Sequence, residues 1–299
     1  MDKITIVTSF FDIGRKDFKE IPRSNDKYLE YFKFWARIKN DLVIYTDSVM
    51  GPKAMKVREE FGLKDKTKLV IIDDISTIDK ELLERMQTID GSKSFLNFRY
   101  NPNAAENNAF YNYVMLLKAW CIKDAVDKGL AKGQIAWLDF GYNHGGKRFT
   151  DPLDFDFEWK YDFGNKVTLF ALKEDDGEPI FKKVQSLDPI IMGAPFICPS
   201  KYANTLWELE KECMNELIDV GFTDDDQLIM LMAYRKKKDM FDVKICDWFM
   251  PIYDFGGSHL KYKELFHAKK NLLYVYRVMK RNRRYLKRLK SEFFKDYLD

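Results

Sequence analysis

The chain has 299 residues, of which 46% are hydrophobic and 32% charged, with a formal net charge of +3. These values are ordinary for a globular protein made of one large domain or two modest ones. No apolar run approaches the ~18 residues of a membrane span, and no signal peptide precedes the first strand-like run, so we expect a cytoplasmic protein. The four cysteines form no CxxC pair, which predicts reduced, mostly buried thiols and argues against a zinc site.

Strand-like and helix-like segments alternate along the first half of the chain. The first helix is expected to be capped near Asn25 or Asp26, and a later one by a serine or threonine. In chain order the segments are ITIVTSF (strand), NDKYLEYFKFWARIKN (helix), DLVIYTD (strand), a helix opening at GPKAM, KLVIIDD (strand) and STIDKELLERM (helix). This alternation predicts a parallel sheet flanked by helices, which is an α/β fold.

The second half begins with a long predicted helix, ENNAFYNYVMLLKAWCIKDAVDKG, which leads directly into the strand QIAWLDFG. Further predicted strands are VTLFAL and DPIIMGAPFIC, and the helix SKYANTLWELEKECMNEL follows with a serine cap. In sheets of this kind, ligands bind beyond the carboxyl ends of the strands. The segment from Thr8 to Arg15, Asp47 and Asp139 all fall at such ends, and are therefore candidates for a binding site.

Asp139 ends a short apolar run and is followed by GYNHGG, a loop with three glycines and a histidine. Glycine lets a backbone approach a ligand closely. A hard divalent cation often needs only one or two protein carboxylates, because substrate phosphates complete its shell. A nucleotide-sugar enzyme usually carries a second carboxylate two residues further on, where this chain has Gly141. Asp139 is therefore either a metal ligand without its usual partner or a turn residue.

Two downstream segments are candidates for the rest of such a site. Three acids, Asp224 to Asp226, stand at the start of a predicted helix, where the helix dipole favours each by ~0.3–1 kcal/mol. One of them is expected to cap the helix, and another could serve as a general base. His259 follows a double glycine late in the chain, and it could complete a Mn²⁺ site because imidazole and carboxylate both suit that ion.

The end of the first predicted strand, TSFFDIGR, places Phe10, Phe11 and Arg15 within one turn. An aromatic ring for base stacking and a guanidinium for phosphate are what a nucleotide pocket would use. The alternative is that the phenylalanines fill the core and the arginine is solvated.

Together these segments resemble a GT-A type glycosyltransferase and, more narrowly, the bacterial HtrL/YibB-like family associated with surface polysaccharide loci. The resemblance spans roughly residues 3 to 260, and it is carried by VTSFFDIGR, YFKFWARIKNDLVIYTD, NNAFYNYVMLLKAW, WLDFGYNHGG, IIMGAPFIC and TDDDQLIML. It implies a GT-A-like, Rossmann-type mixed sheet flanked by helices, in a domain of residues 1–262. Asp139 matches the first acid of the family's DxD motif, and Gly141 departs from the second.

The resemblance also implies a donor, which would be a nucleoside diphosphate sugar. Its base would lie near Phe10 or Phe11, at the strand end that includes Thr8, and its ribose near Asp47. The diphosphate would be neutralised by Mn²⁺ or Mg²⁺, helped by Lys118 or Arg15.

The implied metal ligands are Asp139 and His259, and the implied catalytic bases are Asp225 and Asp226. In an inverting enzyme, one of these two acids would take the proton of a hydroxyl group on a capsule or lipopolysaccharide precursor. A retaining enzyme would not use that base in the same way. Gly141 motivates a second interpretation, a catalytically degenerate protein that binds a sugar nucleotide or a glycan.

The C-terminal segment differs in charge from the body of the chain. Residues 261–299 hold 13 of the 50 Lys/Arg but only 4 of the 47 Asp/Glu. Apolar residues at 3-4 spacing predict an amphipathic helical tail over residues 263–299. This tail either packs on its own domain or binds an anionic membrane surface through residues 277–290, at roughly 1 kcal/mol per basic residue. Nucleic acid is not an expected partner, because the body is net acidic and carries no recognised motif.

Overall fold

The computed structural model describes residues 3–19, 22–264, 279–280, 282–287 and 290. Within this part of the chain, one sheet is built from β1 (Ile4–Phe10), β2 (Leu42–Thr46), β3 (Thr67–Ile71), β4 (Gln134–Trp137), β5 (Val167–Ala171), β6 (Phe196–Pro199) and β7 (Phe241–Ile245). The spatial order of the seven strands is β3-β2-β1-β4-β6-β5-β7. β6 runs antiparallel to β4 and β5, and the other neighbouring pairs are parallel.

Helices cover both faces of this sheet. They are α1 (Asn25–Trp35), α2 (Met50–Glu60), α3 (Lys80–Ile89), α4 (Lys93–Phe98), α5 (Ala109–Asp127), α6 (Ile180–Ser186), α7 (Ala203–Asp219), α8 (Asp226–Lys236) and α9 (Pro251–Asp254). Buried side chains of α1, α2 and α9 form one hydrophobic core with the sheet, and those of α3, α5, α7 and α8 form a second. The helices therefore hold the sheet as a middle layer.

The alternation of side chains along β1 shows why both cores are needed. Ile4 and Ile6 belong to the core under α1, whereas Val7 belongs to the core under α5. Successive residues of a strand point to opposite faces, so a strand that is apolar at consecutive positions must be covered on both sides.

The predicted α/β class with a mixed, helix-flanked sheet is confirmed, and three details differ from the sequence prediction. The sheet is not parallel throughout, because β6 is reversed. The strand predicted over DPIIMGAPFIC is confined to Phe196–Pro199. The third helix starts at Lys80 rather than at the serine-threonine pair, because Asp79 accepts the amide hydrogen bond of Leu82 and caps it. The cysteines are free, three of them buried.

Most of the predicted C-terminal helix lies outside the described residues, so the domain division at residue 262 stays a prediction. Of the tail residues that are described, those at 279–280, 282–287 and 290 are helical, whereas 263 and 264 are not. Tyr285 contacts the body of the protein, since Gln185 Nε2 donates a hydrogen bond to its hydroxyl at 3.1 Å and the ring of Tyr100 lies 4.9 Å away. Met279 and Leu286 are 65% and 63% exposed. In the part of the chain described, no helix combines the length and the apolar character that a membrane span needs.

Candidate active site

The candidate site lies at one edge of the sheet, beyond the carboxyl ends of β1 and β4. These two strands are parallel and aligned, with Val7 opposite Trp137. The reversed strand β6 begins at the same edge, because Phe196 also pairs with Trp137. The loop after β4 and the segment before β6 therefore meet at this edge, where the ligand sites of open α/β sheets are found.

A cavity of about 140 Å³ opens at this edge, and we call it the aromatic cavity. Phe10 lines it, and its ring centroid lies 5.1 Å from that of Tyr28 and 5.3 Å from that of Phe140. Phe11 lines it as well, although Phe10 and Phe11 are only 6% and 7% exposed. The two phenylalanines therefore belong to the core and also present a surface to the cavity.

Arg15 lines the aromatic cavity with its guanidinium against two aromatic rings. Its guanidinium carbon lies 4.8 Å from the ring centroid of Phe18 and 4.7 Å from that of Tyr111. The Nε and Nη1 atoms are buried, and neither has a hydrogen-bond partner among the described residues. Buried donors without an acceptor are uncommon in folded proteins, and such a group is a natural place for an anionic ligand.

A second cavity of about 360 Å³ adjoins the first, and we call it the central cavity. The two share eight lining residues: Arg15, Arg23, Tyr111, Met115, Lys118, Asp139, Gly141 and His144. Asp226, Gln227, Lys147 and Gly193 also line the central cavity. The aromatic and central cavities therefore form one continuous groove.

A buried lysine joins the two predicted acidic clusters at the base of the groove. Lys118 Nζ donates to Asp226 Oδ2 at 2.7 Å and to the carbonyl oxygen of Gly193 at 3.1 Å, and it lies 3.0 Å from Asp139 Oδ1. Burial alone would lower the pKa of Lys118, but the charges of Asp139 and Asp226 raise it above its ordinary value. Lys118 is therefore a permanent cation with all three donors in use.

Glycine at position 193 is what lets the backbone come so close. A Cβ atom there would lie 2.3 Å from Asp226 Oδ2. No other residue could occupy this position without displacing the carboxylate, so the contact between β6's leading segment and Asp226 depends on glycine.

The three consecutive acids begin α8, as predicted, and each has a separate environment. Asp225 caps the helix by accepting the amide hydrogen bond of Gln227 at 3.1 Å. Asp224 is buried in an ion pair with Arg99 at 3.1 Å, and Asp226 is held by Lys118. The acids are thus kept apart by different partners, although all three are at most 5% exposed.

The environments of the acids shift their pKa values upward. Burial raises the pKa of Asp225 well above its usual range, and the charges of Asp226 and Asp224 raise it further. Burial also raises the pKa of Asp226 to about 6, against the opposing charge of Lys118. Carboxyl groups with raised pKa values in a cleft are candidates for proton transfer.

A third cavity of about 210 Å³ adjoins the central cavity near the acid cluster, and we call it the acidic cavity. Four carboxylates line it, namely Glu106, Asp188, Asp224 and Asp225. It shares Glu106, Gln227 and Trp248 with the central cavity. Asp226 therefore lines the central cavity, and Asp225 lines the acidic cavity that adjoins it.

The loop after Asp139 presents His144 to the groove. Asn143 is buried and holds the loop, because its Oδ1 accepts from the amides of Arg148 and Phe149 and its Nδ2 donates to the Phe149 carbonyl. His144 has φ of 45°, a left-handed conformation that is uncommon for a side-chain-bearing residue. Burial, together with the nearby charges of Arg23 and Lys147, lowers the pKa of His144 to about 4, so the imidazole is neutral near pH 7.

Three predicted site residues lie elsewhere. His259 Nε2 is 2.9 Å from the carbonyl oxygen of Asp154, its ring packs on Phe157, and it lines neither cavity that Asp139 lines. Asp47 lies at the start of α2, where it accepts the amide hydrogen bonds of the residues at positions 49 and 50. Thr8 is fully buried in β1 and lines neither of these cavities.

The described residues do not fit the metal site that the sequence suggested. Asp139 Oδ1 receives the indole N–H of Trp137 at 2.8 Å and also faces Lys118. At position 141, a Cβ atom would lie 3.2 Å from the ring of Tyr28, which leaves little room for a second acid. Within the described residues, no group of three or more His, Cys, Asp or Glu side chains is arranged to hold a metal ion. Dependence on Mn²⁺ or Mg²⁺ stays a prediction.

Several groove residues were missed by the sequence analysis. Arg23 and Lys147 line the central cavity, and neither belongs to a motif that the sequence singles out. His144 could have been identified from the sequence, because it stands among glycines in the loop that follows Asp139, whereas His259 is far from Asp139 in sequence. Gly193 could not have been found, since its role depends on the reversal of β6.

Comparison with known proteins places the chain in a family. It is 28% identical to Protein HtrL of Escherichia coli (strain K12) over 256 residues, which is 80% of this chain and 86% of that protein. The crystal structure of mouse xyloside xylosyltransferase 1 in its apo form has 12% identity and a TM-score of 0.43, covering 90% of this chain and 96% of that one. The PaToxG glycosyltransferase has 10% identity and a TM-score of 0.36, covering 79% and 68%.

The two structural similarities are too weak to assign a fold or an activity to this chain, so the family assignment rests on sequence comparison. Residues 2–255 match the family described as "Bacterial protein of unknown function (HtrL_YibB)". This match confirms the resemblance, and the chain belongs to the HtrL_YibB family.

Proposed function

We propose that the chain is a glycosyltransferase, which moves a sugar from a nucleoside diphosphate sugar to an acceptor hydroxyl group. The observation that carries this proposal is the position of Asp225 and Asp226 between two adjoining cavities. Asp226 lines the central cavity and Asp225 lines the acidic cavity. A donor in the central cavity and an acceptor in the acidic cavity would meet at these carboxylates.

Asp225 is the proposed general base. Its carboxylate takes the proton of the acceptor hydroxyl group, the hydroxyl oxygen bonds to the anomeric carbon, and the bond from that carbon to the diphosphate breaks. The products are the glycosylated acceptor, the nucleoside diphosphate and a protonated Asp225. Asp226 is less suited to this role, because Lys118 already holds its carboxylate at 2.7 Å. A base of this kind fits attack from the face opposite the leaving group, which inverts the anomeric centre.

The donor is proposed to lie along the groove, with its base in the aromatic cavity and its diphosphate in the central cavity. The ring of Phe10 beside Tyr28 offers an aromatic surface for the base, as the sequence suggested. Lys118 contributes positive charge at the floor, where charge develops on the leaving diphosphate. This arrangement is the one that a GT-A-like fold implies, with the donor at the carboxyl ends of the parallel strands.

The acceptor is proposed to be a bacterial surface glycan or its lipid-linked precursor, as in capsule or lipopolysaccharide assembly. Support comes from the family resemblance and from the basic tail, whose described part includes Lys280, Arg283, Arg284 and Lys287, all exposed. Basic residues beside an apolar stripe favour an anionic membrane surface. Such a surface would hold the enzyme close to a lipid-linked acceptor.

The proposed function is tested by donor turnover. The purified chain is incubated with a panel of UDP-, GDP-, CDP- and ADP-sugars, with and without Mn²⁺, and the release of nucleoside diphosphate is measured. Asp225→Asn keeps the helix cap, because asparagine caps helices as well as aspartate does. We expect release by the wild type, loss of release in Asp225→Asn, and no loss in Asp127→Asn, a control carboxylate paired with Lys123 on the surface of α5.

A second candidate function is a sugar-nucleotide or glycan binding protein without transferase activity. It is favoured by Gly141 and by the engagement of Asp139 with both Trp137 and Lys118. The same assay separates the two functions. Binding of a nucleotide sugar without release of nucleoside diphosphate, unchanged in Asp225→Asn, would support the binding protein and refute the enzyme.

A further inference from the structure

We infer that the groove binds the donor diphosphate through arginine side chains, with Arg15 foremost, and that this binding requires no divalent cation. The inference rests on the proposed function and adds which groups neutralise the charge of the diphosphate. It follows from two separate observations: one carboxylate oxygen of the acid expected to hold a metal is already engaged by two protein donors, and two guanidinium nitrogens of Arg15, which lines the same cavities, have no hydrogen-bond partner among the described residues.

Asp139 is occupied on one carboxylate oxygen by two protein donors. Trp137 Nε1 donates to Asp139 Oδ1 at 2.8 Å, and Lys118 Nζ lies 3.0 Å from the same atom. A metal ion bound to this oxygen would have to displace the ammonium group of a lysine that is 2% exposed. Asp226, which lines the central cavity together with Asp139, is held by the same ammonium group. The lysine thus takes the place between the two carboxylates that a cation would need.

Arg15 has hydrogen-bond donors that are available to an anionic ligand. Its Nε and Nη1 atoms are buried and lack a hydrogen-bond partner among the described residues, while the side chain lines both the aromatic and the central cavity. The rings of Phe18 and Tyr111 lie against the guanidinium. A diphosphate oxygen would satisfy these donors, and guanidinium groups bind phosphate in a bidentate manner.

Two further cations extend the same surface. Arg23 lines both cavities and Lys147 lines the central one, and neither forms an ion pair with a residue in the described ranges. The guanidinium of Arg23 lies 5.9 Å from the ring centroids of Tyr28 and Tyr31. A cation shared by the two cavities and another in the central cavity match a nucleotide whose base lies in the aromatic cavity and whose diphosphate reaches the central one.

The test is calorimetric titration of the wild type with UDP, GDP, CDP and ADP, first in excess EDTA and then in excess Mn²⁺. The best-binding nucleotide and its nucleoside are then titrated into Arg15→Met, Arg15→Lys and Arg37→Met. Arg37 is the matched control, because its guanidinium lies 4.1 Å from the ring centroid of Phe61 but it lines neither cavity. Thermal unfolding of each variant verifies that it is folded.

We expect one nucleoside diphosphate to bind equally well in EDTA and in Mn²⁺. Arg15→Met should weaken nucleoside diphosphate binding about 10- to 100-fold relative to the wild type, and Arg15→Lys should have an intermediate affinity. The affinity of Arg15→Met for the nucleoside, and the affinity of Arg37→Met for the nucleoside diphosphate, should equal those of the wild type. A structural role for Arg15 would instead weaken nucleoside and nucleotide alike. Binding that requires Mn²⁺ would overturn the inference and leave the proposed function intact. Failure of every nucleoside diphosphate to bind, with and without Mn²⁺, would overturn both.

Discussion

Replacing Lys118 with methionine should destabilise the protein strongly, because it leaves the buried carboxylate of Asp226 without its cation. Lys118 and Asp226 are 2% and 1% exposed, and their charged atoms are 2.7 Å apart. Removing one partner of a buried ion pair costs about 3–5 kcal/mol of unfolding free energy. The side chain of Asp139 is 44% exposed, so its pairing with Lys118 adds at most about 1 kcal/mol. The expected loss near pH 8 is therefore about 3–5 kcal/mol.

The loss in Lys118→Met should be smaller in acid. Burial raises the pKa of Asp226 to about 6 even with Lys118 opposing the shift, so removal of the lysine raises it further. A carboxyl group whose pKa is higher in the folded state takes up protons on folding, and it loses stability as pH rises through that pKa. Near pH 5 the Asp226 carboxyl of the variant is neutral, and much of the penalty disappears.

Urea unfolding at both pH values measures these effects. Lys123→Met is the matched control, since it removes a lysine of the same helix whose partner, Asp127, is on the surface, and it should cost less than about 1 kcal/mol. Asp226→Asn combined with Lys118→Met should recover part of the loss. A loss in Lys118→Met near pH 8 no larger than that in Lys123→Met would refute the reasoning.

Three further predictions concern the groove. Asp225→Asn should lower the rate of sugar transfer at least about 100-fold with unchanged nucleotide affinity, measured by turnover and calorimetry, and a comparable rate would contradict the role of Asp225 as base. Gly141→Asp restores the missing acid, but its Cβ would lie 3.2 Å from the Tyr28 ring. This variant should therefore bind nucleotide more weakly and bind no Mn²⁺ in calorimetry, and new Mn²⁺ binding would contradict the prediction. Burial and the nearby charges of Arg23 and Lys147 lower the pKa of His144 to about 4 from its usual 6.5, so its protonation favours the unfolded state. The wild type should therefore lose stability relative to His144→Gln as pH falls from 6.5 toward 4, and parallel urea-unfolding curves over that range would show that the imidazole is not buried as described.

The parts of the site that lie at element ends were predictable from the sequence. Asp139 follows a buried strand and Asp225 precedes a helix, and both positions follow from local rules on strand ends and helix caps. The α/β alternation also predicted the parallel order of β1, β2 and β3. Each of these inferences depends on a few neighbouring residues, so one sequence is enough.

The contacts that assemble the site were not predictable, because they join distant parts of the chain. Lys118 meets Asp226 across 108 positions and Gly193 across 75. The reversal of β6 has no local signal, since four buried apolar residues look the same in either direction. His144 and His259 both follow or stand among glycines, and only the folded chain shows that His144 lines the groove while His259 packs against Phe157.

The most direct test of the account is the structure of the protein crystallised with a nucleoside diphosphate that binds it, with Mn²⁺ included. We predict that the base lies in the aromatic cavity beside Phe10, that the diphosphate lies on Arg15 in the central cavity, and that Lys118 remains between Asp139 and Asp226. A nucleotide bound away from this groove would contradict the proposed function. A Mn²⁺ ion on Asp139 with Lys118 displaced would contradict binding without a metal.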